Sequence, residues 1–241
     1  MWELGRIVYL GLMAGVLGTG LGGLVLTFWQ RPKDHFLGFL LAFSGGIMLA
    51  VVFQDLILEA LSLGGLLITL AGTLCGVFVL FLLSSPAFFQ LPPGQDLVKT
   101  GVFLGIGISL HNLPEGLAIG AGYLASQELG FSLALAICLH NIPEGMAMAA
   151  PLLAGGLGRS DAVLLTVLAG IPMGIGALIG GLLQILSPAA LAGTLGFAAG
   201  AMLFLVFYEL LPEAQKQASR AVSTCGSILG IIVGLIFLVS L

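Results

Sequence analysis

Charge is what this sequence has least of. Among 241 residues only 7% are Asp, Glu, Lys or Arg, while 59% are hydrophobic. No soluble domain hides that much apolar surface, so water-soluble enzymes and nucleic-acid binders are excluded. The chain reads as an all-α, polytopic membrane protein in contact with the lipid bilayer. Cysteine is nearly as scarce. Cys75, Cys138 and Cys225 stand at unrelated spacings in or near apolar segments, give no zinc-ribbon or CxxC pattern and no disulfide, and read as packing residues. No cleavable leader is expected either, since the first apolar run is too long for an h-region and no basic n-region precedes it. No nucleotide fingerprint or soluble extension is present, and residues 1–241 read as one transmembrane domain.

Glycine, by contrast, is abundant at 37 residues, which suits closely packed helices in a medium that gives them no hydrophobic reason to associate. Eight spans are predicted at about 6–29, 36–59, 63–85, 99–124, 129–154, 161–186, 189–212 and 222–241. The one lengthy connection, 84–98, is Pro-rich, with Pro86, Pro92, Pro93 and Gly94. Arg31, Lys33, Lys99, Arg159, Lys216 and Arg220 fall on one side of these spans and only Arg6 on the other. The positive-inside rule then puts both termini outside the cytoplasm.

One hexapeptide occurs twice, as His111-Asn112-Leu113-Pro114-Glu115-Gly116 and His140-Asn141-Ile142-Pro143-Glu144-Gly145. On a helix, His111 and Glu115 share a face, as do His140 and Glu144, with Asn112 and Asn141 at its border. Pro114 and Pro143 each remove a backbone N–H and crowd the carbonyls of Leu110 and Leu139, which predicts kinks beside the polar residues. An imidazole, a carboxylate and a loosened carbonyl on each of two helices form a ligand set for a divalent metal. A buried histidine alone is more often a hydrogen-bonded structural residue. Two copies in consecutive apolar spans, each costly in hydrocarbon, favour function.

A longer repeat surrounds the hexapeptides. Phe43, Gly46, Met48, Asp55 and Glu59 align without a gap on Phe197, Gly200, Met202, Glu209 and Glu213. Ala14-Gly15-Val16 and Ala169-Gly170-Ile171 hint that spans one and six pair likewise. Spans two and seven, and four and five, must run oppositely, so the pattern is an inverted repeat of the kind secondary transporters use. It puts Asp55 and Glu59 at the outer end of span two and Glu209 and Glu213 at the inner end of span seven. No Lys or Arg is expected at comparable depth. These four acids therefore read as one possible vestibule per side of a cation pathway, against the plainer reading of solvated helix ends.

The paired HNxPEG motifs on the fourth and fifth spans resemble the ZIP (Zrt/Irt-like) family of divalent metal transporters, in particular its small bacterial members. The resemblance implies a helical bundle centred on spans four and five, a homodimer, and location in the cell membrane, here a bacterial inner membrane. It also implies a transport unit (spans one, four, five and six) sliding against a scaffold, and movement of Zn²⁺, or of Fe²⁺, Mn²⁺ or Cd²⁺, toward the cytoplasm. The metal is cargo, and no resident cofactor is implied. Carried over to this sequence, the principal site is His111, Glu115, His140 and Glu144, with Met48 as a further thioether ligand or simply a core residue. Asn112 and Asn141 belong to an adjacent second site. The family completes that second site with a span-six glutamate, and Met173 stands in the matching position. A soft, neutral thioether there predicts one well-bound metal rather than two. Two readings from other classes compete. An intramembrane metal hydrolase typically shows HExxH, which is absent here. A proton-coupled carrier of an organic cation would favour aromatic residues near the hexapeptides, and these are scarce. A di-His haem site would place Glu115 and Glu144 against a porphyrin.

Overall fold

The computed structural model describes residues 2–28, 33–85, 94–182 and 187–240; Arg31, Pro86, Pro92, Pro93 and Leu241 lie outside them. Every regular element among the described residues is helical: α1 (Trp2–Leu26), α2 (Asp34–Val51), α3 (Ile57–Leu83), α4 (Asp96–Ala125), α5 (Gln127–Ala154), α6 (Arg159–Leu182), α7 (Pro188–Leu205), α8 (Leu211–Gln217) and α9 (Arg220–Ser240). Among the described residues, 7 helical runs are long and apolar enough to cross a membrane. The outer faces are correspondingly greasy. Leu66, Leu67, Leu74 and Phe78 of α3 are exposed, as are Ile232 and Ile236 of α9, while His111, Asn112 and Asn141 are fully buried. That inversion of the soluble pattern marks a multi-pass membrane protein.

The run Asp34–Leu83 is 50 residues long, with its one non-helical residue at Gly65 (φ 70, ψ 178), a conformation that only glycine adopts without strain. The sequence places this boundary earlier, at 60–62. A single glycine can redirect the path without a polar loop, so hydropathy gives no sign of it. On the two sides of the break the helices keep different company. Phe39 and Phe43 of α2 meet Gly226 and Gly230 of α9, so these two run parallel. Thr69 and Thr73 of α3 meet Gly196 and Gly200 of α7, again parallel.

The inner layer obeys the same logic of close glycine contacts. Helix α1 runs parallel to α5, and α4 parallel to α6, while α1 and α6 cross antiparallel through Gly15 and Gly170. Helices α4 and α5 are antiparallel and joined only by Ser126, an extended residue (φ -156, ψ 146) whose hydroxyl accepts the Leu129 N–H at 3.0 Å and caps α5. The two histidines are almost equally far along the chain from Ser126. Their hexapeptides therefore meet at one depth, about 20 Å from the turn at 1.5 Å per residue.

Helices α2 and α7 each run into a single π-turn, Val52–Leu56 and Val206–Leu210. The two turns read Val-Phe-Gln-Asp-Leu and Val-Phe-Tyr-Glu-Leu, so Asp55 and Glu209 hold the same place in each. An extra residue in the turn rotates the rest of the helix by about 100°. The packing partners are exchanged in the same way. α2 takes α9 and α5, and α7 takes α3 and α4.

Candidate metal centre

The hexapeptides sit at the α4–α5 crossing, and their glycines explain how the crossing is held. A Cβ on Gly116 would strike the Met173 carbonyl of α6, and one on Gly145 the Thr19 carbonyl of α1. Both positions therefore bring backbone against backbone. Helical geometry continues through Pro114 and Pro143 without a break. Beside Pro143, the Ser44 hydroxyl of α2 donates to the Pro143 carbonyl at 3.0 Å, which ties α2 to the same level.

Across the crossing the side chains pair between helices. His111 Nε2 is 3.0 Å from Glu144 Oε2, and His140 Nε2 is 3.4 Å from Glu115 Oε1. Shared faces within one helix, as the spacing suggests, bring these residues to the crossing. The partners come from the opposite helix, and the sequence alone does not show that. All four are nine-tenths or more buried. Asn112 Nδ2 donates to the Ala169 carbonyl of α6 at 2.9 Å. Asn141 Nδ2 points at Met173 Sδ, 4.0 Å away, so the span-six residue singled out by the resemblance stands beside the expected second-site asparagine.

Each of the six polar residues of the two hexapeptides keeps one buried polar atom without a hydrogen-bond partner: His111 Nδ1, Asn112 Oδ1, Glu115 Oε2, His140 Nδ1, Asn141 Oδ1 and Glu144 Oε1. Buried polar atoms are ordinarily satisfied, because each orphan costs about 1–3 kcal/mol. Six together, two imidazole nitrogens and four oxygens, make a donor set for a borderline divalent ion. With each Nε2 turned to a carboxylate, Nδ1 is the ring nitrogen left over for a further partner. Among the described residues, no three His, Cys, Asp or Glu side chains already surround one point as metal ligands. The two His–Glu contacts are the assembled units.

Met48 is buried in the main apolar core. It lies one turn after Ser44, the residue that bonds to Pro143 of α5. The four vestibule acids separate into two environments. Asp55 and Glu59 line a cavity of about 540 Å³ that also reaches Glu115 and His140. Glu209 lies at the other end of the bundle, in the second π-turn. Glu213 is bound by Lys216 Nζ at 2.9 Å and Gln217 Nε2 at 2.7 Å. The expectation that no basic residue reaches these acids therefore fails at Glu213, because one further helical turn brings Lys216 back to it. The packing role expected of the cysteines also fails for Cys75 and Cys225, which are exposed.

Residues 92–241 match the family described as ZIP Zinc transporter. The chain is 33% identical to Zinc transporter ZupT of Akkermansia muciniphila, covering 97% of each. It is 35% identical to Zinc transporter ZTP29 of Arabidopsis thaliana, covering 90% of each. Against Zinc transporter ZupT of Escherichia coli it is 32% identical, over 88% of this chain and 84% of the relative.

Proposed function

This chain belongs to the ZIP zinc transporter family, and from that premise we propose that it carries Zn²⁺ toward the cytoplasm through the His–Glu crossing of α4 and α5. It is a membrane transporter rather than an enzyme, and zinc is its cargo. The observation that carries the site assignment is the set of six orphaned donor atoms, one on every polar residue of the two hexapeptides. Two neutral imidazoles with two carboxylates cancel the charge of a dication, which makes its passage through a low-dielectric core tolerable. The ligands come from two separate helices, so small relative rotations change the coordination number and release the ion. A structural zinc site would instead be closed.

Eight crossings with both termini outside are supported by the helix directions. Partners α2 and α9 run one way, and α3 and α7 the other, which fits a reversal at Gly65. An inverted repeat is supported by the matched π-turns and the exchanged packing partners. Lys33, Lys99, Arg159 and Arg220 stand at or in the first turns of α2, α4, α6 and α9, which favours a cytoplasmic location for that end. Asp55 and Glu59 then face the outside, and Glu209 and Glu213 the inside. A homodimer belongs to the same reading, as do Cd²⁺, Fe²⁺ and Mn²⁺ as competing cargo.

The test is ⁶⁵Zn²⁺ uptake into vesicles of purified protein, with each other metal as competitor, for the parent and for His111→Ala. Uptake should vanish in the variant while its membrane insertion is retained. Parent-like uptake by His111→Ala would remove the site assignment.

A further inference from the structure

The two carboxylates nearest the open end of the crossing differ from Glu213 at the other end in one respect: among the described residues nothing holds them. Glu213 is bound by Lys216 and Gln217. Asp55 and Glu59 have neither an ion pair nor a hydrogen bond from their carboxylates among the described residues, and both are exposed to the cavity they line. That cavity, about 540 Å³, adds Gln54 beside them and has no Lys or Arg in its lining. Its deep end is formed by Glu115, 2% exposed, and His140, 5% exposed. Each of these contributes an unpartnered atom, Glu115 Oε2 and His140 Nδ1.

We propose that Asp55 and Glu59 form a second, outer metal site in this cavity. It holds a hydrated Zn²⁺ by oxygen ligands before the ion passes to Glu115 and His140. This inference rests on the transport reading above and deepens it. The chemistry differs at the two ends of the cavity. Asp55 and Glu59, about one helical turn apart on a π-turned segment, offer carboxylates at the wet end, where a dication keeps most of its water. Glu115 bridges the two environments, because it lines the cavity and contacts the His140 ring at 3.4 Å. The ion can therefore exchange waters for Glu115 first and for imidazole nitrogen second. At no step does it stand in the core with fewer than two anionic neighbours. The order of softness, carboxylate then imidazole, matches a borderline ion losing its hydration shell stepwise.

Such a site contributes to capture and leaves the later steps alone. Asp55→Asn and Glu59→Gln should each raise KM for ⁶⁵Zn²⁺ uptake about tenfold with kcat within about twofold, because a unit charge about 4 Å from a dication in a watery cavity is removed. Raising ionic strength should erode the parent's advantage over both variants. Binding is read separately by Zn²⁺ titration calorimetry on purified protein in the His111→Ala background. One weak Zn²⁺ site should remain there and vanish in His111→Ala/Asp55→Asn/Glu59→Gln. An unchanged KM in both single variants would overturn the outer site, and so would the absence of weak binding in His111→Ala. Loss of tightly held Zn²⁺ in Asp55→Asn alone would also overturn it, by making Asp55 part of the deep site. These outcomes are independent of whether His111→Ala itself abolishes transport.

Discussion

Neutralising Glu144 should damage zinc uptake more than neutralising Glu115, although the two occupy the same place in the repeated hexapeptide. Glu144 is 1% exposed and its Oε2 lies 3.0 Å from His111 Nε2, a ring with no exposure at all. Glu115 contacts His140 at the longer distance of 3.4 Å and borders the open cavity, although it is itself only 2% exposed. Removing one member of a buried, paired set of charges costs about 3–5 kcal/mol, or some 2–3.5 decades in an equilibrium or rate constant. A longer, weaker charged hydrogen bond is worth about 1.5–3 kcal/mol, nearer 1–2 decades. The substitutions are Glu144→Gln and Glu115→Gln, which keep shape while removing the charge and exchanging one acceptor oxygen for an N–H donor. The assay is kcat/KM for ⁶⁵Zn²⁺ uptake into proteoliposomes, with reconstituted protein quantified and helical circular dichroism compared with the parent. Equal losses in the two variants, or a greater loss in Glu115→Gln, would refute the argument that the closeness of the His–Glu contact sets the difference. Uptake by Glu144→Gln within threefold of the parent would refute the role of the pair itself.

The same geometry fixes two further outcomes. Cysteines replacing Lys33 and Arg159 should be labelled by an impermeant maleimide only from the cytoplasmic side, and one replacing Leu241 only from outside; a reversed pattern at any of them removes the eight-crossing arrangement. Met173 is fully buried with its sulfur 4.0 Å from Asn141, so the purified parent should retain close to one Zn²⁺ per chain after dialysis, and Met173→Glu, by adding an anion there, should move elemental analysis toward two. Two tightly held ions in the parent would show that another group already completes the second site.

The sequence discloses the polar residues of the crossing because each is chemically out of place. Six His, Asn and Glu side chains in apolar spans have no plainer explanation, and their spacing alone puts each set on one helix face. Which carboxylate meets which ring is a different kind of fact. It depends on how α4 is rotated against α5, and that is set by backbone contacts at Gly116 and Gly145 with helices far away in the chain. The π-turns escape for a related reason. Val52–Leu56 reads like any apolar helical turn, and only the register of α2 against its neighbours turns its extra residue into a change of facing. Gly65 escapes because a single residue at positive φ breaks the path inside an uninterrupted apolar run. Lys216 is plain in the sequence, but its reach back to Glu213 is a three-residue helical contact beyond a π-turn, and loop-based counting of charge passes over it.

The repeat also bears on how one bundle can be open at one end and shut at the other. Leu205 of α7 and Gly107 of α4 correspond, through the repeat, to Val51 of α2 and Ala136 of α5. The first pair is so close that a Cβ on Gly107 would lie 2.5 Å from Leu205 Cδ1. The seal around it is aromatic, with Tyr208 stacked on Phe204 at 4.6 Å between ring centres and tilted against Phe103 at 6.5 Å. Both members of the second pair line the open cavity. One sequence pattern thus satisfies its packing in a closed form and in an open form, in the same molecule, on opposite sides of the same His–Glu crossing. The closed end also carries the bound acid Glu213, and the open end Asp55 and Glu59, which have no partner among the described residues. At the closed end the protein itself supplies the cation, Lys216, that balances a buried acid, and at the open end that balance is left to a cation from the water.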